Sequence, residues 1–419
     1  MTEQSIAKSF EVNKQWDKAI EKYKEIYQND KSLYIISKLL WCYSRNKDYS
    51  SAKKYCEILI KNEPNNPKWF YMMGYQYYME KHWEKAIEYF EKALSIKPNY
   101  FVVLYRISYA YLQCAGEYMK LTKSEYWNAI GYLNKAHETW NNFSKEERVK
   151  EKNTYFNVCF THGKAFMLIP NKNKDAINYF ESALQIKDDY NCRYNLCKCL
   201  YFNKEYERAK EALPKVKKFY ILELEAQIEN KLSNYDRAII IVNDLLKHRK
   251  KDYLYCLLTD IYLNQHVYEK AFESVTNALL INNNNHKNHY KLAKVYYSYG
   301  LYNHALSEIE KAQSLKQKKY GSDYEECNNL KKLISDKISD GYVENEKLFN
   351  SLVNNNAKHE GNITGYNFKK QFGFVNIDNM RVFVHISNVI SGHIKNGTHI
   401  HFDIEKTEKG YQAINIVAK

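Results

Sequence analysis

The chain has 419 residues, a formal net charge of +14, 45% apolar residues and 15% aromatic ones, with 40 Tyr against 18 Phe. That length exceeds one ordinary domain, and with only 13 Gly and 5 Pro the chain reads as mostly helical and has little material for glycine-rich phosphate loops. The basic balance attracts polyanions, although Lys, Asn, Ile and Tyr are also what an A/T-rich genome supplies, so charge alone decides nothing.

The nine Cys are scattered with no paired framework, and Met1–Phe10 carries no basic–apolar–small leader pattern. No apolar run approaches membrane-span length; Ala238–Leu246 is interrupted by Asn243 and Asp244. The expectation is a soluble, reduced, cytoplasmic protein.

Taken in order, the chain first shows a recurring small residue. Ala19, Ala52, Ala86, Ala129, Ala176, Ala209, Ala238, Ala271 and Ala305 follow one another at mostly 29 to 34 residues. A second small residue often stands twelve positions earlier, as Ala7, Gly74, Cys197, Ala226, Thr259 or Ala293, and Ser108 takes that place ahead of a stretched interval, 21 positions before Ala129. Small residues at such a period mark places where two helices cross closely. In the clearest copy, residues 67–98, Phe70, Gly74, Tyr77, Ala86, Phe90, Ala93 and Pro98 stand at the key positions of a 34-residue unit. This pattern resembles the tetratricopeptide repeat, two antiparallel helices per unit. The resemblance implies about nine helix-turn-helix units over residues 1–318.

Two intervals are stretched. One carries its excess within Gln113–Tyr126. The other carries it around Trp140–Asn153, where Ser144-Lys145-Glu146-Glu147 reads as a capping box, so the following helix should start early and run long. Residues 319–357 read as a capping helix with a second short helix from Glu344, then an apolar-poor linker at 354–360 that lets the following domain move.

First-helix positions face the inner groove of such a solenoid. In the second to fourth units they include Trp41, Tyr71, Tyr75, Tyr78, Tyr105 and Tyr109, an aromatic and weakly charged groove suited to an extended peptide or a partner's helix. The Lys and Asn set of a carboxylate clamp is not found there. In later units Tyr194, Lys198, Tyr201, Lys287, Tyr290, Lys294 and Tyr297 interleave rings with cations. That track suits nucleic acid, or is a solvated basic face.

The last sixty residues change character. Phe372-Gly373-Phe374-Val375 and Val382-Phe383-Val384-His385 read as strands flanking a turn at Asp378-Asn379. Strand alternation puts Phe372 and Phe374 on one face, and Phe383 and His385 on one face of the neighbour. Four rings thus form an expected flat plate, with Lys369 and Lys370 beside it. Unpaired nucleic acid needs such a surface, since each base has a face to stack and each phosphate a charge. From Gly361 onward there are seven Lys/Arg against four Asp/Glu, so +3 of the net charge lies here.

These residues resemble the cold-shock domain. Gly361, Ile363, Tyr366, Asn367, Lys370, Phe372, Gly373, Phe374 and Val375 match its first motif without a gap. Val382–Ser387 match the second, and Lys409–Ala413 the closing one. The resemblance implies a small five-stranded all-β barrel of the OB class over 358–419 that binds single-stranded RNA or DNA. It also implies roles for Tyr366 as an extra ring, for Lys369 and Lys370 on phosphates, and for Phe372, Phe374, Phe383 and His385 in stacking. Gly365 stands where the family has a Trp, Gln371 where it has Gly, Ile386 where Phe is common and Tyr411 where it has Pro.

Cys192, Cys197 and Cys199 share one helix without a second pair, and read as packing rather than a zinc site. His399 and His401, with His393 nearby, read as a polar sheet face; no metal and no cofactor is assigned. No P-loop, nucleophile elbow, H-E-x-x-H or dinucleotide glycine motif occurs. Trp127, His137, Glu138 and Trp140 are the notable candidates for an enzyme site in the stretched region. The preferred expectation is a non-enzymatic adaptor that binds unpaired RNA through the barrel and a protein through the solenoid. Its rival is an interaction scaffold whose barrel has lost nucleic-acid binding.

Overall fold

The computed structural model describes residues 2–117, 123–338, 342–344, 348, 352, 359–377, 380–407 and 410–418. The chain divides into two compact units, residues 1–214 and 215–419.

Among the described residues, the first unit holds six helix pairs: α1 (Glu3–Val12) with α2 (Trp16–Asn29), α3 (Leu33–Arg45) with α4 (Tyr49–Asn62), α5 (Pro67–Met79) with α6 (Trp83–Ile96), α7 (Phe101–Glu117) with α8 (Lys123–Asn141), α9 (Lys145–Met167) with α10 (Asn173–Ile186), and α11 (Tyr190–Phe202) with α12 (Tyr206–Ala212). The second unit continues with α13 (Phe219–Lys231) and α14 (Tyr235–His248), α15 (Asp252–Asn264) and α16 (Tyr268–Ile281), α17 (His286–Ser298) and α18 (Tyr302–Tyr320), then α19 (Glu325–Ile338).

All nine repeat alanines, Ala19 through Ala305, are 0% exposed. Their smallness sets the helix spacing. At Gly74 the limit is direct, because an added Cβ would come within 2.7 Å of the Phe90 ring. Seven pairs turn in the same way. A left-handed residue follows the first helix (Lys14, Lys47, Lys81, Lys204, Ser233, His266 or Gly300). The next N–H donates five residues back, as Asp48 does to the Tyr43 carbonyl and His82 to that of Tyr77. This is a Schellman closure, which satisfies the last carbonyls of the first helix.

The capping box at Ser144 is present in both directions, with Glu147 N–H donating to Ser144 Oγ and Ser144 N–H to Glu147 Oε2. It starts α9 early and the helix runs 23 residues, which absorbs the second stretched interval. Residues 118–122, within the first stretched interval, lie outside the described residues, as do most of the second short helix and of the linker expected before the barrel.

The barrel has strands β1 (His359–Asn367), β2 (Phe372–Ile377), β3 (Met380–His385), the short β4 (Val389–Ser391), β5 (His399–Thr407) and β6 (Gly410–Ala418). Their order is β3-β2-β1-β5-β6-β4, and pairing of β3 with β6 closes the five long strands into a barrel. Ile363, Val375, Val382, Val384, Ile400, Phe402 and Ile416 fill its interior. The turn at Asp378-Asn379 and Lys409 of the closing motif fall outside the described residues.

The sequence suggests a barrel free on a linker, but β4 is seated on the last repeats. Ile390 and Val417, each 2% exposed, belong to the same apolar cluster as Phe272, Leu292 and Tyr296. Asn283 Nδ2 donates to the Val389 carbonyl at 3.2 Å, and Ser391 Oγ to Glu308 Oε1 at 3.2 Å.

Candidate nucleic-acid interface and partner groove

Strands β2 and β3 run antiparallel in a register that sets Phe372 opposite His385 and Phe374 opposite Phe383. Alternation then separates two faces. Gly373, Val375, Val382 and Val384 are buried inward, while Phe372, Phe374, Phe383 and His385 are half-buried on the outer face. The four expected rings are therefore brought together. Phe372 and Phe383 lie 5.4 Å apart between centroids, Phe374 and Phe383 5.8 Å, and Phe383 and His385 6.1 Å.

They do not form a flat plate. Phe374 stands at 83° to Phe372 and 68° to Phe383, the edge-to-face geometry that the ring quadrupole favours. Phe383 and His385, at 19°, are nearly parallel. Ser387 N–H donates to His385 Nδ1 at 3.2 Å, which holds the imidazole in place.

Tyr366 is a correction. Simple alternation from the inward Ile363 turns it outward. Instead, Gly365 adopts φ +61° and the β1–β2 register shifts between Thr364 and Asn367. This bulge reverses the face of the following residue, so Tyr366 is 8% exposed and packs in the barrel core. Burial raises its phenol pKa, and it offers no ring to a ligand. Phe368, in the β1–β2 loop, is 70% exposed and meets the Tyr366 ring edge-on at 5.1 Å. No pattern in the sequence singles it out.

Lys369 and Lys370 are exposed in that same loop. Asn367 holds it, its Oδ1 accepting from Lys370 N–H at 3.0 Å and its carbonyl from Gln371 N–H at 2.7 Å. Gln371 closes the loop at φ +58°. The sequence motifs do not point to a third cation: the Arg381 guanidinium lies 3.8 Å over the Phe374 ring. It shares the outer face with Phe383 and His385 by the same two-residue period, so alternation is the signal that finds it.

In the first unit, the aromatic groove residues gather along α3, α5 and α7. Tyr75 and Tyr78 are parallel at 6.4 Å, Tyr71 lies 6.2 Å from Tyr75, and Tyr78 lies 5.7 Å from Tyr109. Trp41, 39% exposed, lines a cavity of about 390 Å³ with Tyr71, Tyr100 and Lys68.

This groove is not weakly charged. Arg106 sits 4.8 Å from the Tyr75 ring, 4.9 Å from Tyr78 and 5.8 Å from Tyr105. Its Nε is buried without a hydrogen-bond partner. Arg45 stacks on Trp41 at 4.2 Å. Among the described residues no carboxylate pairs with either arginine, so the groove presents both guanidiniums framed by rings, with Lys68 over Trp69 at 4.6 Å beside them.

The later Tyr–Lys positions are partly used up. Lys294 is held by Asp260 at 3.4 Å, beside Lys291 on the same carboxylate. Tyr290 packs against Tyr324 of the segment before α19, and Tyr297 against Tyr302. In the first unit Lys198 lies 5.7 Å over Tyr194, while Tyr201 packs on Tyr206. Lys287 is exposed.

Cys192 and Cys197 direct Sγ at the carbonyls of Phe180 and Ala209, at 3.4 and 3.2 Å. Burial pushes these two thiols and that of Cys199 up to about 12, so they pack as thiols. In the stretched region Trp140 stacks on Tyr155 at 3.9 Å, and His137 turns inward to meet His162 at 3.1 Å. His137 Nδ1 also lies 3.2 Å from the Tyr155 hydroxyl, so His137 and Trp140 meet at that ring, whereas Glu138 is exposed and Trp127 is 54% exposed.

Comparison with known proteins gives two family matches. The model of the 'Cold-shock' DNA-binding domain matches residues 359–419, and that of the tetratricopeptide repeat matches residues 67–100. A TPR repeat-containing protein of Methanocaldococcus jannaschii is 25% identical over 376 residues, covering 75% of this chain and 63% of its own length. The chain thus spans less than two thirds of that relative. Among solved structures, Pseudomonas aeruginosa PilF aligns with TM-score 0.40 and 16% identity, over 56% of this chain and 93% of its own. PilW, a type IV pilus biogenesis factor, aligns with TM-score 0.40 and 18% identity, over 51% and 92%. Among the described residues, no helix is long and apolar enough to cross a membrane.

Proposed function

Because this chain is a tetratricopeptide-repeat protein with a C-terminal cold-shock domain, we propose that it is a non-enzymatic adaptor joining unpaired RNA to a protein partner in the cytoplasm. The observation that carries the reading is the contiguous outer-face cluster of Phe372, Phe374, Phe383 and His385 with Arg381, Lys369 and Lys370 at its edge. Bases stack on rings of any orientation that leaves a face to solvent, and each stacked base is worth about 1–3 kcal/mol. The cations meet phosphates and make binding fall with salt. Single-stranded DNA has the same stacking faces, and this surface has no evident means to discriminate between the two.

The partner end of the adaptor is the groove of the first unit. Two arginines with no carboxylate among rings favour a peptide that brings an acidic side chain next to apolar ones. Ultraviolet cross-linking of the full chain to a uridine-rich single strand, followed by peptide mapping, tests the nucleic-acid end. Cross-links on Phe372, Phe374 or Phe383 are expected; cross-links confined to the helical units contradict it.

The scaffold reading is favoured by one observation. Tyr366 is turned inward beside Gly365, so two positions of the family's stacking surface offer no ring. On that reading the barrel docks protein, and no cross-link to the barrel forms.

A further inference from the structure

Strands β1 and β5 pair so that Glu360 lies opposite His401 and Asn362 opposite His399. Ile363, Ile400 and Phe402 point into the core, so these four polar side chains share the outer face, away from the aromatic cluster of β2 and β3. Glu360 Oε2 is 3.5 Å from His399 Nε2 and 3.6 Å from His401 Nδ1. The three ligand atoms all lie within 4.8 Å of one another. The imidazole planes stand at 83°.

Two features set this group apart from an ordinary ion pair. Asn362 Oδ1 accepts from His399 Nδ1–H at 3.0 Å. With Nδ1 so engaged, Nε2 faces the Glu360 carboxylate, and the two present ligand atoms towards one point. The separations are also long for hydrogen bonds. They match instead the edge of a tetrahedron with metal–ligand bonds of about 2.0–2.1 Å, which is roughly 3.4 Å.

We propose that Glu360, His399 and His401 form a zinc site on the outer wall of the barrel. Asn362 is its positioning residue, fixing the His399 tautomer as the outer partners of metal-bound histidines do. Two imidazoles and a carboxylate suit a borderline divalent ion. Glu360 is 61% exposed at its side chain and His401 4%, so the group opens to solvent on its Glu360 side. The ion clips the start of β1 to β5. His393, which the sequence groups with the other two histidines, lies elsewhere, in a pocket with Asn283 and Ile390.

The test is titration of chelator-treated full chain with Co(II), read by its visible absorption, and competition by Zn(II). One saturable ion per chain with tetrahedral intensity, displaced by Zn(II), is expected. His399→Ala and Glu360→Gln should each abolish that signal, Asn362→Ala should weaken binding about tenfold, and His393→Ala should leave it unchanged. Since His401 is buried, its variant is not needed. Absence of a saturable signal at micromolar metal overturns the site, as does a signal that survives both His399→Ala and Glu360→Gln.

Discussion

At the scale of single residues, the barrel's outer face separates two kinds of contribution. Rings act through stacking and cations through counterion release, so variants should sort by their salt dependence. Replacing Lys369, Lys370 or Arg381 with Ala should lower the slope of log affinity against log salt by about 0.7 for each single-strand phosphate left without its cation. Phe374→Ala should lower affinity at every salt concentration and leave the slope unchanged. A Phe374→Ala variant that changes only the slope contradicts this division.

Gln371 is a second residue-scale case. An L side chain at left-handed φ costs roughly 1–2 kcal/mol, and Gly avoids that at an entropic cost of roughly 0.5–1 kcal/mol. Gln371→Gly should therefore slow hydrogen exchange in β2 and β3 modestly; faster exchange would show that the Gln side chain contributes more than the strain. What is legible in the sequence here follows the two-residue period: Phe372, Phe374, Phe383 and His385 share a face as expected. Tyr366 departs from expectation because a bulge at Gly365 breaks that period, and a single left-handed residue leaves no trace in an alternation pattern. Glu360 cannot be joined to His399 and His401 from the sequence because only strand pairing brings residues so distant in the chain together.

At the scale of elements, the helix pairs are the most legible part. A small residue marks each crossing, mostly every 29 to 34 positions, since steric exclusion at Ala19 through Ala305 leaves no alternative. The long α9 is legible through Ser144 and Glu147. Ser144→Ala should cost about 1 kcal/mol, seen as faster exchange in the first turn of α9; unchanged exchange would mean the box contributes nothing.

His137 and His162 give this region a pH dependence. Burial lowers His137 to about 4, and burial together with the neighbouring His137 lowers His162 to about 3. Both rings are thus held neutral, whereas in the unfolded chain they titrate near about 6.5. The unfolded state binds more protons between these values, so stability is full above about 6.5 and falls as pH drops towards about 4. The melting temperature of residues 1–214 within the full chain should fall over that window, and His162→Phe should flatten the fall. A wild-type profile without that fall contradicts the neutral pair.

At the scale of the whole molecule, the order of the parts is legible and their attachment is not. Within the second unit the barrel joins the helices through a buried carboxylate. Glu308, 0% exposed, accepts from Ser391 of β4, pairs with His289 at 2.7 Å and with Lys311 at 2.8 Å. Burial opposes its charge, but His289 and Lys311 outweigh that and hold its pKa below the ordinary value. Removing Glu308 leaves the buried His289 without its carboxylate partner, and breaking a buried pair costs about 3–5 kcal/mol. Glu308→Ala should speed exchange at the β4 and β6 amides while β2 and β3 keep their protection. Unchanged exchange at Ile416 and Val417 would show the seat is held by apolar packing alone. No local pattern around Glu308 announces this role, since an i+3 lysine reads as a surface helix pair and Ser391 lies 83 residues away.

The central claim is that the outer face of β2 and β3 holds an unpaired strand. The most direct measurement is fluorescence anisotropy of a short labelled single-stranded RNA, titrated with the full chain and with its Phe372→Ala/Phe374→Ala/Phe383→Ala variant at low and moderate salt. The account predicts saturable binding by the full chain, weakened by moderate salt, and abolished or reduced at least about thirtyfold in the variant, as two or more stacked bases require. Equal affinity of wild type and variant at both salt concentrations would contradict it.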